Sequence, residues 1–229
     1  MRLSVLCLAA LALAGPAFAD SISLTGTVRD FRGRNEAGGH MDFEGLIADD
    51  RGIVLPTLGV DGKPVYAGLA GNPTTSGQAN FDQWYRDVSG VNMSSSLTLT
   101  ANETFAGSGI YQYSNNSFFP IDGQGFGNTP GQSHNFHFTF ELHTQFAYQP
   151  GQNFSFTGDD DVFVFINNQL VIDLGGVHSQ ETASVDLSTL GLLAGQNYNL
   201  DIFFAERHTV ASTFNFTTSI PLVTMVPLP

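Results

Sequence analysis

Apolar residues recur at every second position through much of the chain after residue 97. The alternation runs through residues 97–100, 136–142 and 200–204. This spacing places one side of an extended strand in a core and the other in solvent. Residues 162–166 are apolar throughout, which predicts a strand buried on both faces. Repeated short strands separated by turn residues predict an all-β protein built as an antiparallel β-sandwich.

Only one segment has a helical spacing of apolar residues. Phe81, Trp84, Tyr85 and Val88 stand at i, i+3, i+4 and i+7, which predicts a short amphipathic helix over residues 80–88. Residues 33–64 are interrupted by Gly, Pro and Asp and predict an irregular N-terminal extension with short strands such as 52–55. Residues 115–131 are rich in Gly, Asn and Pro and predict a long surface loop.

The first nineteen residues have the pattern of a secretory signal peptide. Arg2 gives the positive start, residues 3–13 are an apolar run, and Ala17-Phe18-Ala19 is a cleavage motif of the A-x-A type. Export is therefore expected, with a secreted, extracellular or cell-surface location. Cleavage would remove Cys7, the single cysteine, so we expect the mature chain to be held by its core or by a bound ion. The predicted division is 1–19 signal peptide, 20–96 N-terminal part, 97–219 sandwich core and 220–229 tail.

The charge of the chain limits the classes of partner that it is expected to bind. The 229 residues include 8 Lys and Arg against 21 Asp and Glu, for a formal net charge of −13. Nucleic-acid binding rests on clustered cations, so no nucleic-acid partner is expected. Anionic membranes are disfavoured for the same reason, and the apolar run at residues 3–13 is too short to span a membrane. No membrane insertion of the mature chain is expected.

Residues 158–176 predict an acidic β-hairpin. Asn tolerates positive φ, so Asn167-Asn168 fits a two-residue hairpin turn. Counting outward from that turn places Val162 opposite Asp173 and Asp160 opposite Gly175. The three aspartates that precede the first strand and the loop that follows the second strand should therefore lie at one end of the ribbon.

Three consecutive carboxylates, Asp159, Asp160 and Asp161, begin the hairpin. Their repulsion beside a buried strand must be offset by a cation, by N–H donors or by shifted pKa values. Oxygen ligands without cysteine favour Ca²⁺ over structural zinc, and the three aspartates are the candidate metal ligands. The alternative is that these aspartates only cap a turn.

Four further residues are candidate ligand-binding groups around this loop: Asp173, His178, Glu206 and His208. Glu206 and His208 would share one face of a strand that continues past residue 205, with Arg207 on the other. The alternatives are a salt bridge from Arg207 to a nearby carboxylate, a surface histidine at position 208 and an incidental loop histidine at position 178.

Long motifs in the chain resemble a known family. The run GDDDVFVFINNQLVIDLGGVH and the downstream LDIFFAERHT look like the signature of the fibro-slime domain. TGTVRDF, NFDQWYRDVSGVN, SFFPIDGQGFGN and HNFHFTFELHTQFAY are similar to other blocks of that family, so the likeness covers residues 24–219. The family resembles a branch of the protective-antigen-type β-sandwich, which implies a lectin-like sandwich. The ending VPLP at residues 226–229 resembles the opening of a PEP-CTERM sorting signal.

The resemblance also implies a site. In adhesin members of the wider superfamily two adjacent aspartates coordinate Ca²⁺, and the ion contacts sugar hydroxyls. Those positions match Asp159 and Asp160, while Asp161 stands where Gly is common. We expect an exported, non-catalytic, calcium-assisted module that binds an extracellular glycan or matrix component in adhesion. The alternatives are a calcium-stapled structural domain of an extracellular matrix and a glycoside hydrolase using Glu206 and Asp160. The chain has no G-x-S-x-G or H-E-x-x-H motif, so an enzyme is not expected.

Overall fold

The computed structural model describes residues 19–68 and 71–224, and their regular structure is almost entirely strand. The first strands are β1 (Ser21–Phe31), β2 (Ala48–Asp49), β3 (Asn92–Glu103), β4 (Tyr111–Asn115), β5 (Phe138–Ala147) and β6 (Asn153–Asp159). The others are β7 (Asp161–Ile166), β8 (Gln169–Leu174), β9 (Gly176–Val177), β10 (Glu181–Asp186), β11 (Asn197–Glu206), β12 (Thr213–Thr218) and β13 (Val223–Thr224). A short helix, α1, spans Gln78–Phe81, and a 3-10 turn spans Leu187–Leu190. The signal-peptide prediction, except for Ala19, and the sorting-signal motif lie outside the described residues.

The large sheet folds over on itself into two layers. Its strand order is β10-β6-β12-β4-β3-β1-β5-β11-β7-β8, with β13 paired to β5, and the named strands all pair antiparallel. Phe214 on β12 meets Phe140 on β5 and Phe204 on β11, with ring centroids 5.7 and 5.2 Å apart. These strands are not neighbours in the order, so they face each other across a core. The predicted all-β antiparallel fold is confirmed. The division at residue 97 stays a prediction, and β1 from the earlier part lies between β3 and β5.

The N-terminal segment covers the second face of the central strands. Val162, Val164 and Ile166 point into the core between the layers, while Phe163 and Phe165 pack into a second apolar cluster. That cluster also holds side chains contributed by the chain before β3: Phe31, Phe43, Ile53, Val54, Phe81, Trp84 and Tyr85. The strand over residues 162–166 is therefore buried on both faces, as predicted.

Because the N-terminal segment covers this face, one expectation from the alternating pattern of apolar residues is wrong. The polar positions of β5 and of the residue before it were expected in solvent, yet His137, Thr139 and Glu141 are buried. Thr139 donates to the carbonyl of Trp84 at 2.5 Å, and Glu141 pairs with Arg29 at 3.0 Å. An alternating pattern shows only that one face is apolar; here polar partners from the N-terminal segment cover the other.

The hairpin has the predicted turn but a shifted register. Asn167 and Asn168 both have positive φ, and Ile166 pairs with Gln169. A bulge between Val164 and Phe165 then moves the pairing by one residue, so Val162 lies opposite Leu174 and not opposite Asp173. An extra residue in one strand changes the partners without moving the end of the ribbon, so the predicted gathering of the acidic residues and the following loop is preserved.

The predicted N-terminal elements are shorter than expected. The helix ends at Phe81, and the chain continues to Trp84 through turns whose N–H groups donate to carbonyls three residues earlier. Phe81, Trp84 and Tyr85 are nevertheless buried, as their spacing indicates. Residues 52–55 form only an isolated bridge, between Val54 and Tyr66. Within the described ranges, no helix has the length and apolar character needed to cross a membrane.

A histidine on β5 makes fold stability depend on pH. His143 Nδ1 lies 2.7 Å from Asp201, and Nε2 lies 3.7 Å from Glu141. Burial alone would lower the pKa of His143, but its bonds to these two carboxylates outweigh burial and raise the pKa to about 9. The stabilisation is fully present below the unfolded pKa of 6.5 and is lost as pH rises through about 9. We expect urea unfolding to show a fall in stability over this interval that is smaller in His143→Gln; equal slopes would contradict the assignment.

Candidate functional site

A cleft of about 180 Å³ opens at the acidic end of the hairpin. We call it the acidic cleft. Its wall comes from three parts of the chain: the β6–β7 junction, the loop after β9 and the loop between β11 and β12, with one residue from the N-terminal segment. The lining residues are Ile47, Asp159, Asp160, Val177, His178, Ser179, His208, Thr209, Val210 and Ala211. Four of the residues predicted from the sequence therefore meet here: Asp159, Asp160, His178 and His208.

Main-chain groups hold the two aspartates of the acidic cleft. Asp159 ends β6, and its Oδ1 accepts a hydrogen bond from the N–H of Thr213 on β12. Asp160 Oδ2 accepts from the N–H of Arg207 at 3.0 Å. The peptide bond that joins the two aspartates is cis. Each carboxylate is thus anchored by a main-chain N–H at one of its oxygens.

Both carboxylates are almost fully buried, although they line the acidic cleft. Asp159 and Asp160 are each only 5% exposed. Burial raises the pKa of Asp159, opposed by the Thr213 N–H and by His178. Burial also raises the pKa of Asp160 well above its usual range; Arg207 opposes the shift, while the charges of Asp161 and Asp159 add to it. The ionised pair therefore lacks sufficient compensation from the protein's own groups.

Asp161 has a different role from its neighbours. Its Oδ2 accepts from Arg207 Nε at 2.6 Å, and its Oδ1 accepts from Arg207 Nη2 at 3.0 Å and from the Gly176 N–H at 2.7 Å. The remaining donors of Arg207 bind the carbonyls of Asp42 and Thr74 and the hydroxyl of Thr74. The guanidinium carries five N–H donors, and all five are used. The salt bridge considered for Arg207 is confirmed, and Asp161 is not in the wall of the acidic cleft.

Glu206 lies behind the acidic cleft and is not part of its wall. The side chain is fully buried, and within residues 19–68 and 71–224 neither carboxylate oxygen has a hydrogen bond of normal geometry. Burial raises the pKa of Glu206 well above its usual range, the charge of Asp160 adds to this, and the hydroxyl of Ser212 opposes it. This side chain does not reach the space that a ligand would occupy.

The remaining candidates divide between the wall and the scaffold. Asp173 accepts from the N–H groups of Gly52 at 2.8 Å and Gly175 at 3.0 Å, so it fixes the chain around the loop and does not line the acidic cleft. His178 lies in the wall with Nε2 3.1 Å from the carbonyl of Leu174. His208 also lies in the wall, with Nε2 3.6 Å from Glu44. His208 is therefore part of a polar contact and not a free surface histidine.

Sequence reasoning missed the contribution of the N-terminal segment to the cleft. Ile47 precedes β2, and β2 pairs with β9 beside Val177, which brings Ile47 to the acidic cleft. No local signal in residues 41–47 indicates this pairing. Val210 could have been found, because it closely follows the motif that contains Glu206 and His208. Ile47 and Val210 are 62% and 82% exposed, so the lining of the acidic cleft includes two exposed apolar side chains.

The acidic side chains of the described residues do not by themselves form a complete metal site. Across the ranges that the structure describes, no three His, Cys, Asp or Glu side chains converge in a way that could hold a metal ion. Any ion in the acidic cleft would therefore take two carboxylates and complete its shell with main-chain carbonyls, water or ligand hydroxyls. Such a mixed oxygen shell is ordinary for Ca²⁺.

Part of the chain is similar to a known domain family, and most of it is similar to part of several longer proteins. Residues 126–224 match the model of the PA14 domain. Protein psiR of Dictyostelium discoideum is 44% identical over 194 residues, covering 78% of this chain and 20% of psiR. Protein psiD of the same organism is 41% identical over 221 residues, covering 88% of this chain and 42% of psiD. The chain thus spans less than half the length of these relatives.

The PA14 domain of the MpAFP antifreeze protein aligns over 94% of this chain and 97% of that domain, with a TM-score of 0.36 and 12% identity. The fibro-slime assignment stays a prediction. Residues 126–224 are thus similar to PA14 domains, and most of the chain is similar to part of the Dictyostelium psi proteins.

Proposed function

We propose that the chain is a non-catalytic, calcium-assisted carbohydrate-binding module of an exported adhesive protein. The observation that supports this proposal is the burial of Asp159 and Asp160 in the wall of the acidic cleft. Both are almost fully buried, both line the acidic cleft, and the nearby Arg207 is already committed to Asp161. A divalent cation supplies the missing positive charge.

The donor set of the acidic cleft fits Ca²⁺. Asp159 and Asp160 would hold the ion, each through the oxygen not anchored by a main-chain N–H. Hard oxygen ligands suit Ca²⁺, which accepts six to eight of them with flexible geometry. The ion would supply open coordination positions that vicinal sugar hydroxyls can fill.

The apolar part of the cleft suits the other face of a sugar ring. Ile47, Val177 and Val210 line the cleft beside the carboxylates. A pocket that pairs a few fixed polar groups with an apolar wall can orient a ligand carrying both kinds of surface. A pyranose has such a surface, with hydroxyls at its edge and C–H groups on its face.

The position of Glu206 argues against the hydrolase alternative. Glycoside hydrolysis needs two carboxyl groups that flank the scissile bond. Glu206 is fully buried and lies outside the cleft wall, so Glu206 and Asp160 do not flank a substrate there. A binding role needs only the two aspartates.

Calorimetry with Ca²⁺ tests the site directly. We expect wild-type protein to bind Ca²⁺ and to gain about 2.7 kcal/mol of stability when free Ca²⁺ is a hundred times its dissociation constant. Asp159→Asn and Asp160→Asn should lose both effects, yet remain folded because the amide removes a poorly compensated buried charge. Asp49→Asn is the matched control, since Asp49 is exposed and lines no part of the cleft.

A neutral-glycan array, probed in the presence of Ca²⁺, distinguishes the carbohydrate-binding function from a purely structural one. Sugar binding that disappears with chelator and in Asp160→Asn supports the proposal. Calcium-dependent stabilisation with no sugar bound would instead favour the structural matrix domain. Unchanged Ca²⁺ binding in both aspartate variants would refute the site.

A further inference from the structure

A second cleft adjoins the first across a shared wall. Its volume is about 310 Å³, and Thr209 lines both cavities. We call it the glutamate cleft, because Glu36 and Glu44 lie in its wall together with His137 and the loop residues Asn35 and Gln132. The two cavities thus share one lining residue, which belongs to the β11–β12 loop.

The partition between the two clefts is a fixed hydrogen-bonded unit. The hydroxyl of Thr209 donates to Glu44 Oε1 at 3.0 Å, and His208 Nε2 lies 3.6 Å from the same oxygen. The N–H of Glu44 donates to the carbonyl of Arg207 at 2.6 Å. Glu44 is therefore tied to the loop that forms the acidic cleft, and the spacing of the two cavities is built into the fold.

The lining of the glutamate cleft is suited to sugar hydroxyls. His137 is 3% exposed and lies between the glutamates, 3.0 Å from Glu44 and 3.6 Å from Glu36. Carboxylates accept hydrogen bonds from hydroxyl groups, and the amides of Asn35 and Gln132 both donate and accept. Both amide residues are exposed loop residues at the rim.

The electrostatics of the glutamate cleft select against acidic ligands. Burial alone would raise the pKa of Glu44, but the bond to His137, the charge of His208 and the Thr209 hydroxyl lower it below its ordinary value. Glu44 is therefore ionised at neutral pH. A ligand carboxylate placed here would face a like charge in a partly desolvated cavity, which is a common source of specificity.

We propose that the glutamate cleft binds the next residue of the glycan whose terminal residue occupies the acidic cleft, and that it selects a neutral sugar at this second position over a uronic acid. The inference rests on the proposed carbohydrate function. It makes the recognised unit a neutral disaccharide segment and assigns Glu44 and Gln132 to its second residue.

The test compares short sugars in the presence of saturating Ca²⁺. The probes are the methyl glycosides of glucose, galactose and mannose, neutral disaccharides with each of these at the non-reducing end, and the matching disaccharides with glucuronic acid as the second residue. We expect one neutral disaccharide to bind about tenfold tighter than the methyl glycoside of its terminal residue, measured by calorimetry. The glucuronic acid form should lose that gain.

Variants assign the gain to the glutamate cleft. In Gln132→Ala the ratio of disaccharide to methyl glycoside affinity should fall toward one. Glu44→Gln should reduce the discrimination against glucuronic acid, and Asp49→Asn should change neither quantity. Gln132 is exposed, so its variant guards against a fold defect in Glu44→Gln.

The outcomes separate this inference from the function on which it rests. Equal affinities for methyl glycosides and all disaccharides, or ratios unaffected by Gln132→Ala and Glu44→Gln, would overturn the second subsite and leave the acidic cleft as a monosaccharide site. Wild-type protein that binds Ca²⁺ but none of these sugars would overturn the carbohydrate function and the subsite together.

Discussion

Replacing Arg207 by methionine is expected to lower the free energy of unfolding by about 3–5 kcal/mol. The guanidinium is completely buried, and its five N–H donors all bind acceptors in β7 and in the N-terminal segment. Methionine fills part of the volume but leaves the Asp161 carboxylate buried without its cation. The carbonyls of Asp42 and Thr74 lose their donors at the same time.

Urea unfolding of three variants, each compared with wild type, checks this expectation. Arg86→Met is the matched control, because Arg86 makes a partly exposed ion pair with Asp61 whose loss should cost at most about 1 kcal/mol. Adding Asp161→Leu to Arg207→Met should recover part of the loss, since the unpaired charge is then gone. A loss no greater than that of the control would show that the buried pair is not structurally important.

Truncating Phe214 to alanine is expected to cost about 3–5 kcal/mol. The ring lies at the centre of the core between the layers, with centroids 4.8 Å from both Phe118 and Phe156 and 5.2 Å from Phe204. Its neighbours come from both layers and from the loop after β4, so they cannot close the space together.

Thermal and urea unfolding of Phe214→Ala measure this loss. Phe105→Ala is the control, because Phe105 is 67% exposed and its truncation removes little buried surface. Phe214→Leu should lie between wild type and alanine. Equal stability of the Phe214 and Phe105 variants would mean that the layers repack around the missing ring.

The sequence predicted the parts of the fold that depend on local pattern. Alternation and turn residues were enough for the strands, and Asn167-Asn168 was enough for the hairpin turn. The proximity of Asp159, Asp160 and His178 was also predicted, because the residues that precede a hairpin and those that follow it lie at the same end of the ribbon. These inferences use only neighbours along the chain or directly across one turn.

Features that depend on distant segments could not be predicted in this way. Asp159, Asp160 and Asp161 look alike in sequence, and only the meeting of Arg207 with Asp161 separates a structural carboxylate from two lining the cleft. The bulge beside Val164 leaves no distinct signal in a uniformly apolar strand. Glu44 reaches the site through contacts with Thr209 that span 165 positions, beyond any periodicity argument.

The route of the large sheet has a practical consequence for shortening the protein. Residues 126–224 match the PA14 domain, but the hydrogen-bonded path from β12 to β5 runs through β4, β3 and β1, all of which precede residue 126. A fragment cut at the match would leave strand edges unpaired and would strip the cover from Phe163, Phe165 and Phe203. Unpaired strand edges and solvent-exposed aromatic rings promote aggregation. Recombinant expression should therefore retain β1, which begins at Ser21.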